Sequence, residues 1–273
     1  GEDIPAIKGT FRASGPDLPS LMAVAAQFQN DGKTLTKISS SLAEGSGKDF
    51  KIETRFDTDI QKGHIELANF SANFLGLEIN AKVKGRGIDF EKGTGTLNGL
   101  LNIGGKNPKR LLLSLGQEDL AKTLTNFSVE TGVEGNLSDL KLRPLKITAK
   151  VADARLGKPV KLKVSAQSAR ANLDDETLAI DDLEVVGLGL DLKANIRAKN
   201  IKNGLEFQGD IDVPSFDLKN LLTTLNEPLP KTGDPNALTS VSLKTNFSGD
   251  TGSVQLEHLD MEFEAETWGF YWP

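Results

Sequence analysis

Hydrophobic and polar residues alternate with a period of two along most of the chain. This pattern is typical of β-strands with one apolar and one polar face. It is clearest in residues 50–56, 65–67, 77–83, 147–151, 162–166 and 190–196. Short polar turns separate the alternating segments, as at Gln61-Lys62-Gly63, Asp174-Asp175-Glu176 and Asn203-Gly204. Turns this short join antiparallel neighbours, so the pattern predicts antiparallel meanders of about 14 to 18 strands.

Short apolar segments between the strands predict helices at residues 18–28, 109–115 and 218–225. Each is entered through Pro, Asp or Asn, which are common at helix starts. All three segments are shorter than the roughly 12–15 residues that an isolated helix needs to be stable in water. We therefore expect them to dock on the sheet through Leu21, Leu111 and Leu221.

The helical segments belong to an internal repeat. Counted from Gly9, Gly99 and Gly209, a leucine stands twelve residues on in every copy, and a Leu-Thr-x-apolar-Ser motif begins later at Leu35, Leu124 and Leu238. In addition, the segment leading to Gly76 matches the one leading to Gly189. Self-similarity in fixed order predicts about three repeat units. We place them at residues 1–98, 99–208 and 209–273, the last one truncated, each with one short helix.

The apolar face of such a sheet could close into a barrel, pack on a second sheet, or form a trough. Stacked repeats have no natural closure point, which favours a mainly β fold with an elongated, curved antiparallel sheet and an open groove. A large exposed apolar face indicates an apolar ligand or partner. From the alternation alone, the inward, lipid-binding positions are predicted to be Leu77, Ile79, Val83, Leu190, Leu192, Ile196, Phe207, Ile211 and Val213.

The third unit resembles the repeat of the AsmA family. Residues 210–222 (DIDVPSFDLKNLL) fit its strand and helix entry, residues 232–243 (TGDPNALTSVSL) fit its Asp-Pro loop, and residues 259–269 (LDMEFEAETWG) fit its later strand. The first two units match more loosely. Pro108 stands where the other units have leucine, and neither early copy keeps the Asp-Pro.

This resemblance implies a β-rich body in the periplasm of a Gram-negative bacterium, with the full-length protein anchored in the inner membrane by a helix outside this sequence. AsmA-like proteins are similar to repeating β-groove, bridge-like lipid-transfer proteins and are linked to outer-membrane lipid homeostasis and assembly. The resemblance brings no catalytic residue.

The composition excludes several classes of partner and binding site. The chain has 38 acidic and 32 basic side chains and a net charge of −6, which argues against nucleic acid or an anionic membrane surface as the main partner. It has no cysteine, which excludes disulfides and thiolate metal sites. No window approaches 18 consecutive apolar residues, so we expect a soluble fragment of a longer protein.

Few residues suggest chemistry. His64 and His258 lack a cysteine or second histidine at ligand spacing, and no Gly-x-Ser-x-Gly motif is present. Acidic clusters at 57–59, 174–176 and 181–182 fit solvated turns better than a calcium loop. The glycines of Gly85-Arg86-Gly87 and Gly104-Gly105-Lys106 fit hairpin turns and bulges rather than a phosphate loop. We predict no metal, no cofactor and no enzymatic activity.

The sequence thus favours a periplasmic β-groove that binds or conducts phospholipid acyl chains between the inner and outer membranes. The alternative is a scaffold that assists the assembly of outer-membrane proteins through exposed sheet edges. An enzyme is the weakest of the three hypotheses.

Overall fold

The computed structural model describes residues 6–20, 49–59, 61–89, 94–136, 138–153, 156–231, 236 and 238–263. These residues are mainly β and form one long antiparallel sheet of 14 strands with few short helices, in agreement with the predicted elongated, curved sheet. The strands are β1 (Ile7–Gly15), β2 (Phe50–Asp59), β3 (His64–Phe74), β4 (Leu77–Asp89), β5 (Thr94–Lys106), β6 (Leu124–Gly135), β7 (Asp139–Val151), β8 (Val160–Ala166), β9 (Ser168–Asn172), β10 (Thr177–Gly187), β11 (Leu190–Lys199), β12 (Glu206–Phe216), β13 (Val241–Asp250) and β14 (Val254–Phe263).

Sheet order follows chain order from β1 to β14. The one irregularity of this path is between β7 and β10, where β8 and β9 lie end to end and act as a single broken strand. Within the described residues β1 and β14 do not pair with each other, so hydrogen bonding does not close the sheet into a barrel. At about 4.8 Å per strand the sheet extends for more than about 50 Å across its strands.

Among the described residues, the complete helices are α1 (Lys109–Ser114), α2 (Glu118–Thr123) and α3 (Leu218–Thr224). The helices predicted at 109–115 and 218–225 are confirmed. Residues 18–20 are helical, and the rest of the helix predicted there lies outside the described residues. The prediction of one helix per unit is wrong for the second unit, which has α1 and α2. Gly116 (φ 72°) ends α1, and two acidic residues at the start of α2 favour a new helix through its dipole.

Equivalent elements end in the same way. Helix α1 is followed by Gly116 and α3 by Asn226, both in the left-handed region that closes many helices. In each helix a leucine carbonyl, of Leu112 or Leu222, accepts a 2.8 Å hydrogen bond from the residue after that left-handed position. The two leucines are 110 residues apart, the interval of the sequence repeat.

Two hairpins also share their irregularities. The β3–β4 turn is Leu75-Gly76 and the β10–β11 turn is Leu188-Gly189, and all four residues have positive φ, as a two-residue type I′ turn requires. Both hairpins have a bulge at the same place, because the register shifts at 67–70 in β3 and at 180–183 in β10. The two bulges are 113 residues apart, as are the two turns. These matches support a repeat, while the boundaries of the units stay a prediction.

The helices of the described residues lie at one rim of the sheet, where β1, β3, β5, β7, β10 and β12 end; we call it the helix rim. A small apolar cluster lies there, with Leu18 and Leu75 buried at its centre and Phe50, Phe74 and Leu111 packed around them. Leu111 therefore docks α1 as its place in the repeat predicts. Leu21, the equivalent in the first unit, lies outside the described residues.

Candidate functional site

The strand register aligns apolar residues in rows across the sheet. Residues directly opposite each other on antiparallel strands point to the same face. One such row crosses the sheet from β1 to β11 and consists of Ala13, Ile52, Ala72, Ile79, Ile103, Val129, Ile147, Val164, Val185 and Leu192. Each member is the direct partner of the next.

All of the predicted inward positions lie on the face that this row defines; we call it the apolar face. Leu77, Ile79 and Val83 alternate along β4, and Leu190, Leu192 and Ile196 alternate along β11. On β12, Phe207 and Ile211 are opposite Ala198 and Ala194 of β11, and Val213 is opposite Leu243 of β13. The register establishes their common face, while the binding of lipid by these residues stays a prediction.

The apolar face has no charged side chain at any paired position of the described strands. Its residues are Gly, Ala, Val, Ile, Leu, Met and Phe, interrupted only by Thr54, Thr58, Thr131 and Thr245. The hydroxyl of Thr131 donates to the Gly132 carbonyl at 2.9 Å, and that of Thr245 donates to the Glu257 carbonyl across the strand pair at 3.1 Å. These two hydroxyls are thus satisfied by backbone and add little polarity to the face.

The opposite face, which we call the polar face, has the charges. Cross-strand ion pairs join Lys8 to Asp57 (3.0 Å), Arg12 to Glu53 (2.9 Å) and Lys84 to Glu66 (3.0 Å). Further along, Arg170 pairs with Asp139 and Arg197 with Asp181. The Arg170 guanidinium lowers the pKa of Asp139, and hydrogen bonds from Ser168 and then Arg197 lower that of Asp181. This asymmetry means that the polar face is the one turned to water.

Most of the apolar face is only partly covered. Of the predicted positions, Leu77 (6% exposed) and Val213 (4%) are buried, while the other positions are half-buried. On the edge strand β14 the apolar side chains are open to solvent, at 63% for Val254, 57% for Leu256 and 51% for Phe263. A sealed core would bury these side chains, so this face is available for an apolar ligand at least at the β14 end.

Clefts on the polar face have a different character. One of about 340 Å³ lies among Glu66, Lys84, Glu134 and Arg143. Lys84 pairs with Glu66 and Arg143 with Glu134 (3.3 Å) across neighbouring strands, and Lys82 also lines the cleft. The cleft thus combines charged side chains with apolar residues such as Leu100, whereas the apolar face has no charged side chain at a paired position.

The residues singled out for chemistry are not brought together. His64 begins β3 and His258 lies in β14, toward opposite ends of the sheet. The acidic clusters are engaged in ion pairs, Asp59 with Lys62 (2.9 Å) and Glu176 with Lys202 (3.8 Å). Among the described residues no three His, Cys, Asp or Glu side chains lie close enough to hold a metal ion. The absence of catalysis stays a prediction.

No protein-family model, no curated protein and no solved structure matches the chain. In the part of the chain that the structure describes, no helix has the length and hydrophobicity needed to cross a bilayer.

Proposed function

We propose that this chain is a lipid-binding β-groove whose apolar face holds phospholipid acyl chains and conducts them between membranes. The observation that carries the proposal is the apolar face, which crosses every described strand without a charged side chain. A ligand with long hydrocarbon chains is the simplest partner for a surface that is both this long and this uniform.

The mechanism needs no catalytic group. Each methylene that leaves water for an apolar surface contributes about 0.8 kcal/mol. The rows of the apolar face are chemically alike from strand to strand. An acyl chain that slides along this face therefore exchanges one set of contacts for a similar set. Movement between rows therefore meets a low barrier, and the direction of net transfer depends on the lipid supply at each end.

The resemblance to the AsmA repeat adds the cellular setting to this proposal. On this ground we propose that the groove lies in the periplasm, is held to the inner membrane and serves outer-membrane homeostasis. Lipid acyl chains and the two membranes would then be the partners, with no part for nucleic acid.

Native mass spectrometry of the purified chain, followed by lipid extraction, tests the proposal. We expect a stoichiometric phospholipid adduct that survives gel filtration. As a control, delipidated protein should take up added phospholipid and regain the adduct mass. A protein of apo mass that neither takes up lipid nor binds an apolar dye would show that the face is sealed.

A second candidate function rests on β14. Every residue of this edge strand is exposed, and within the described residues only β13 pairs with it. An open edge with apolar side chains can accept another strand by β-augmentation, so a scaffold for outer-membrane protein assembly is possible on this surface. A stable complex with a peptide from an unfolded barrel strand, lost on Met261→Lys, would favour this function.

A further inference from the structure

A row of basic side chains crosses the polar face at the helix rim. Lys106 of β5 is opposite Asn126 of β6, Asn126 is opposite Lys150 of β7, and Lys150 is opposite Lys161 of β8. We call this set the basic row. Residues directly opposite each other have Cβ atoms about 4.5–5.5 Å apart, and like charges in such pairs are destabilising. The fold alone gives no reason to set Lys150 against Lys161.

No carboxylate neutralises the basic row in the part of the chain that the structure describes. Within the described residues Lys106, Lys150 and Lys161 form no ion pair, in contrast to the cross-strand pairs elsewhere on this face. The carboxylate of Asp119, on the adjacent α2, is already held by Lys122 at 3.3 Å. A local positive charge therefore remains on a chain whose net charge is −6.

Exposed leucines lie in the segment that connects the first two positions of the basic row. Leu113 and Leu115, at the end of α1, are 47% and 50% exposed, and Leu120 of α2 is 50% exposed. Other residues fix the two helices, since Leu111 packs in the cluster at the helix rim and Ala121 is buried. The three leucines are thus not needed as the docking surface of their own helices.

Hydrogen bonds bring the helices and the basic row into one corner of the molecule. The carbonyl of Thr123, the last residue of α2, accepts a 2.8 Å hydrogen bond from the amide of Ala152, which follows β7. The hydroxyl of Thr125 donates to the carbonyl of Lys150 at 2.9 Å. We propose that this corner binds the surface of an anionic lipid bilayer, with the lysines at the lipid phosphates and the leucines at the acyl boundary.

The combination of groups favours a bilayer over other anionic partners. Interfacial membrane binding sums apolar burial and attraction between basic side chains and anionic lipid headgroups. A soluble anion would use the lysines and leave three exposed leucines without a partner. Single-stranded nucleic acid is held by a basic groove together with aromatic side chains on which its bases stack, whereas the exposed apolar side chains of α1 and α2 are leucines.

Vesicle flotation tests this proposal. The wild-type chain should float with vesicles of phosphatidylcholine mixed with phosphatidylglycerol and stay behind with pure phosphatidylcholine, and added salt should weaken the binding. Since a lysine near an anionic surface contributes about fivefold in affinity, Lys150→Glu with Lys161→Glu should weaken binding by at least about 25-fold. This pair of changes preserves the like-charge repulsion and so leaves that feature of the fold as it is.

Two further variants make the test specific. Lys51→Glu with Lys82→Glu makes the same change of charge at exposed positions of the polar face on β2 and β4, and should float as the wild type does. Leu113→Ser with Leu115→Ser and Leu120→Ser should lose binding by about tenfold or more, because each leucine loses the gain of entering the acyl boundary.

The proposal is overturned if the wild type does not float with anionic vesicles, or if the control pair loses as much binding as the basic-row pair. It is also overturned if the leucine variant still floats while soluble heparin binds to the basic row, since the corner would then be a general anion site. This membrane contact is separate from the proposed binding of lipid on the apolar face. The Lys150→Glu and Lys161→Glu protein should still retain co-purified lipid, so the two proposals can fail separately.

Discussion

Phe207 of β12 and Phe247 of β13 lie diagonally across neighbouring strands, each over a glycine of the other strand. Phe207 is directly opposite Gly249 and Phe247 is directly opposite Gly209, and the ring centroids are 6.1 Å apart. A Cβ atom on Gly209 would lie 2.7 Å from Cζ of Phe247, and one on Gly249 would lie 3.0 Å from Cζ of Phe207. Because these glycines have no side chain, each phenylalanine ring can lie over the glycine opposite it and cover the backbone of the neighbouring strand.

Substitution of Gly209 should therefore destabilise the fold. A Cβ at this position would meet Phe247 and also approach the carbonyl oxygen of Asn195 to 2.1 Å, so the backbone would have to shift. We expect Gly209→Ala to lower the free energy of unfolding by about 1–3 kcal/mol, as other overpacked sites do. Urea denaturation measures this. Gly157→Ala is the control, because nothing lies within 4 Å of the added atom; equal midpoints for the two variants would contradict the prediction.

A charge on the apolar face should remove lipid without unfolding the protein. Ile79 lies in the middle of the row that crosses the sheet and is half-buried, so an aspartate there can keep part of its hydration. We expect Ile79→Asp to lose co-purified phospholipid in native mass spectrometry and to keep a cooperative thermal transition. Asn80→Asp, the next residue but on the polar face, should retain lipid. Global unfolding of Ile79→Asp would mean that Ile79 belongs to a sealed core.

The apolar face was predictable from sequence because a strand has a side-chain period of two and the chain keeps this period nearly throughout. A bulge reverses the parity of alternation, yet the bulges at 67–70 and 180–183 occur where the sequence itself has two residues, instead of one, between successive large apolar positions. Alternation within each strand therefore identified residues that share one face of the sheet, even though the pairing of distant strands was unknown.

Features that depend on pairing were not predictable. Gly104 and Gly105 resemble a turn in sequence, but they lie inside β5, and Gly105 accommodates the ring of Phe127 on β6. The basic row was missed for the same reason. Lys106, Lys150 and Lys161 are far apart in sequence and meet only through the register of β5 to β8. The lysines of β7 and β8 are visible in the sequence, but the sequence of a single strand does not show which residues of two strands are opposite each other.

Asp181 should stabilise the sheet in a pH-dependent way. It accepts a 2.7 Å hydrogen bond from Ser168 of β9 and pairs with Arg197 of β11, and these contacts lower its pKa. A lowered carboxyl pKa gives stability that is present above the ordinary value of about 3.9 and is lost as the pH falls through the lowered value. Because the side chain is 36% exposed, we expect Asp181→Asn to cost less than about 1 kcal/mol near pH 7.

Urea midpoints measured from neutral pH down to about pH 3 check this, since the midpoints of wild type and Asp181→Asn should converge as the carboxylate is protonated. Asp182→Asn is the matched control at the neighbouring position, where the side chain is exposed. A midpoint difference for Asp181→Asn that does not change with pH would mean that the substitution acts by some route other than charge.

Lys161→Glu should stabilise the protein and weaken its binding to anionic vesicles. The substitution replaces a like-charge pair with Lys150 by a cross-strand ion pair, which should raise the free energy of unfolding by roughly 0.2–1 kcal/mol at low salt. Lys82→Glu is the control, because Lys82 is opposite Leu100 and no repulsion is relieved. If the free energy of unfolding rises while vesicle binding weakens, Lys161 serves the membrane contact at a cost to the stability of the fold. A loss of stability in Lys161→Glu would instead show that the basic row has a structural role.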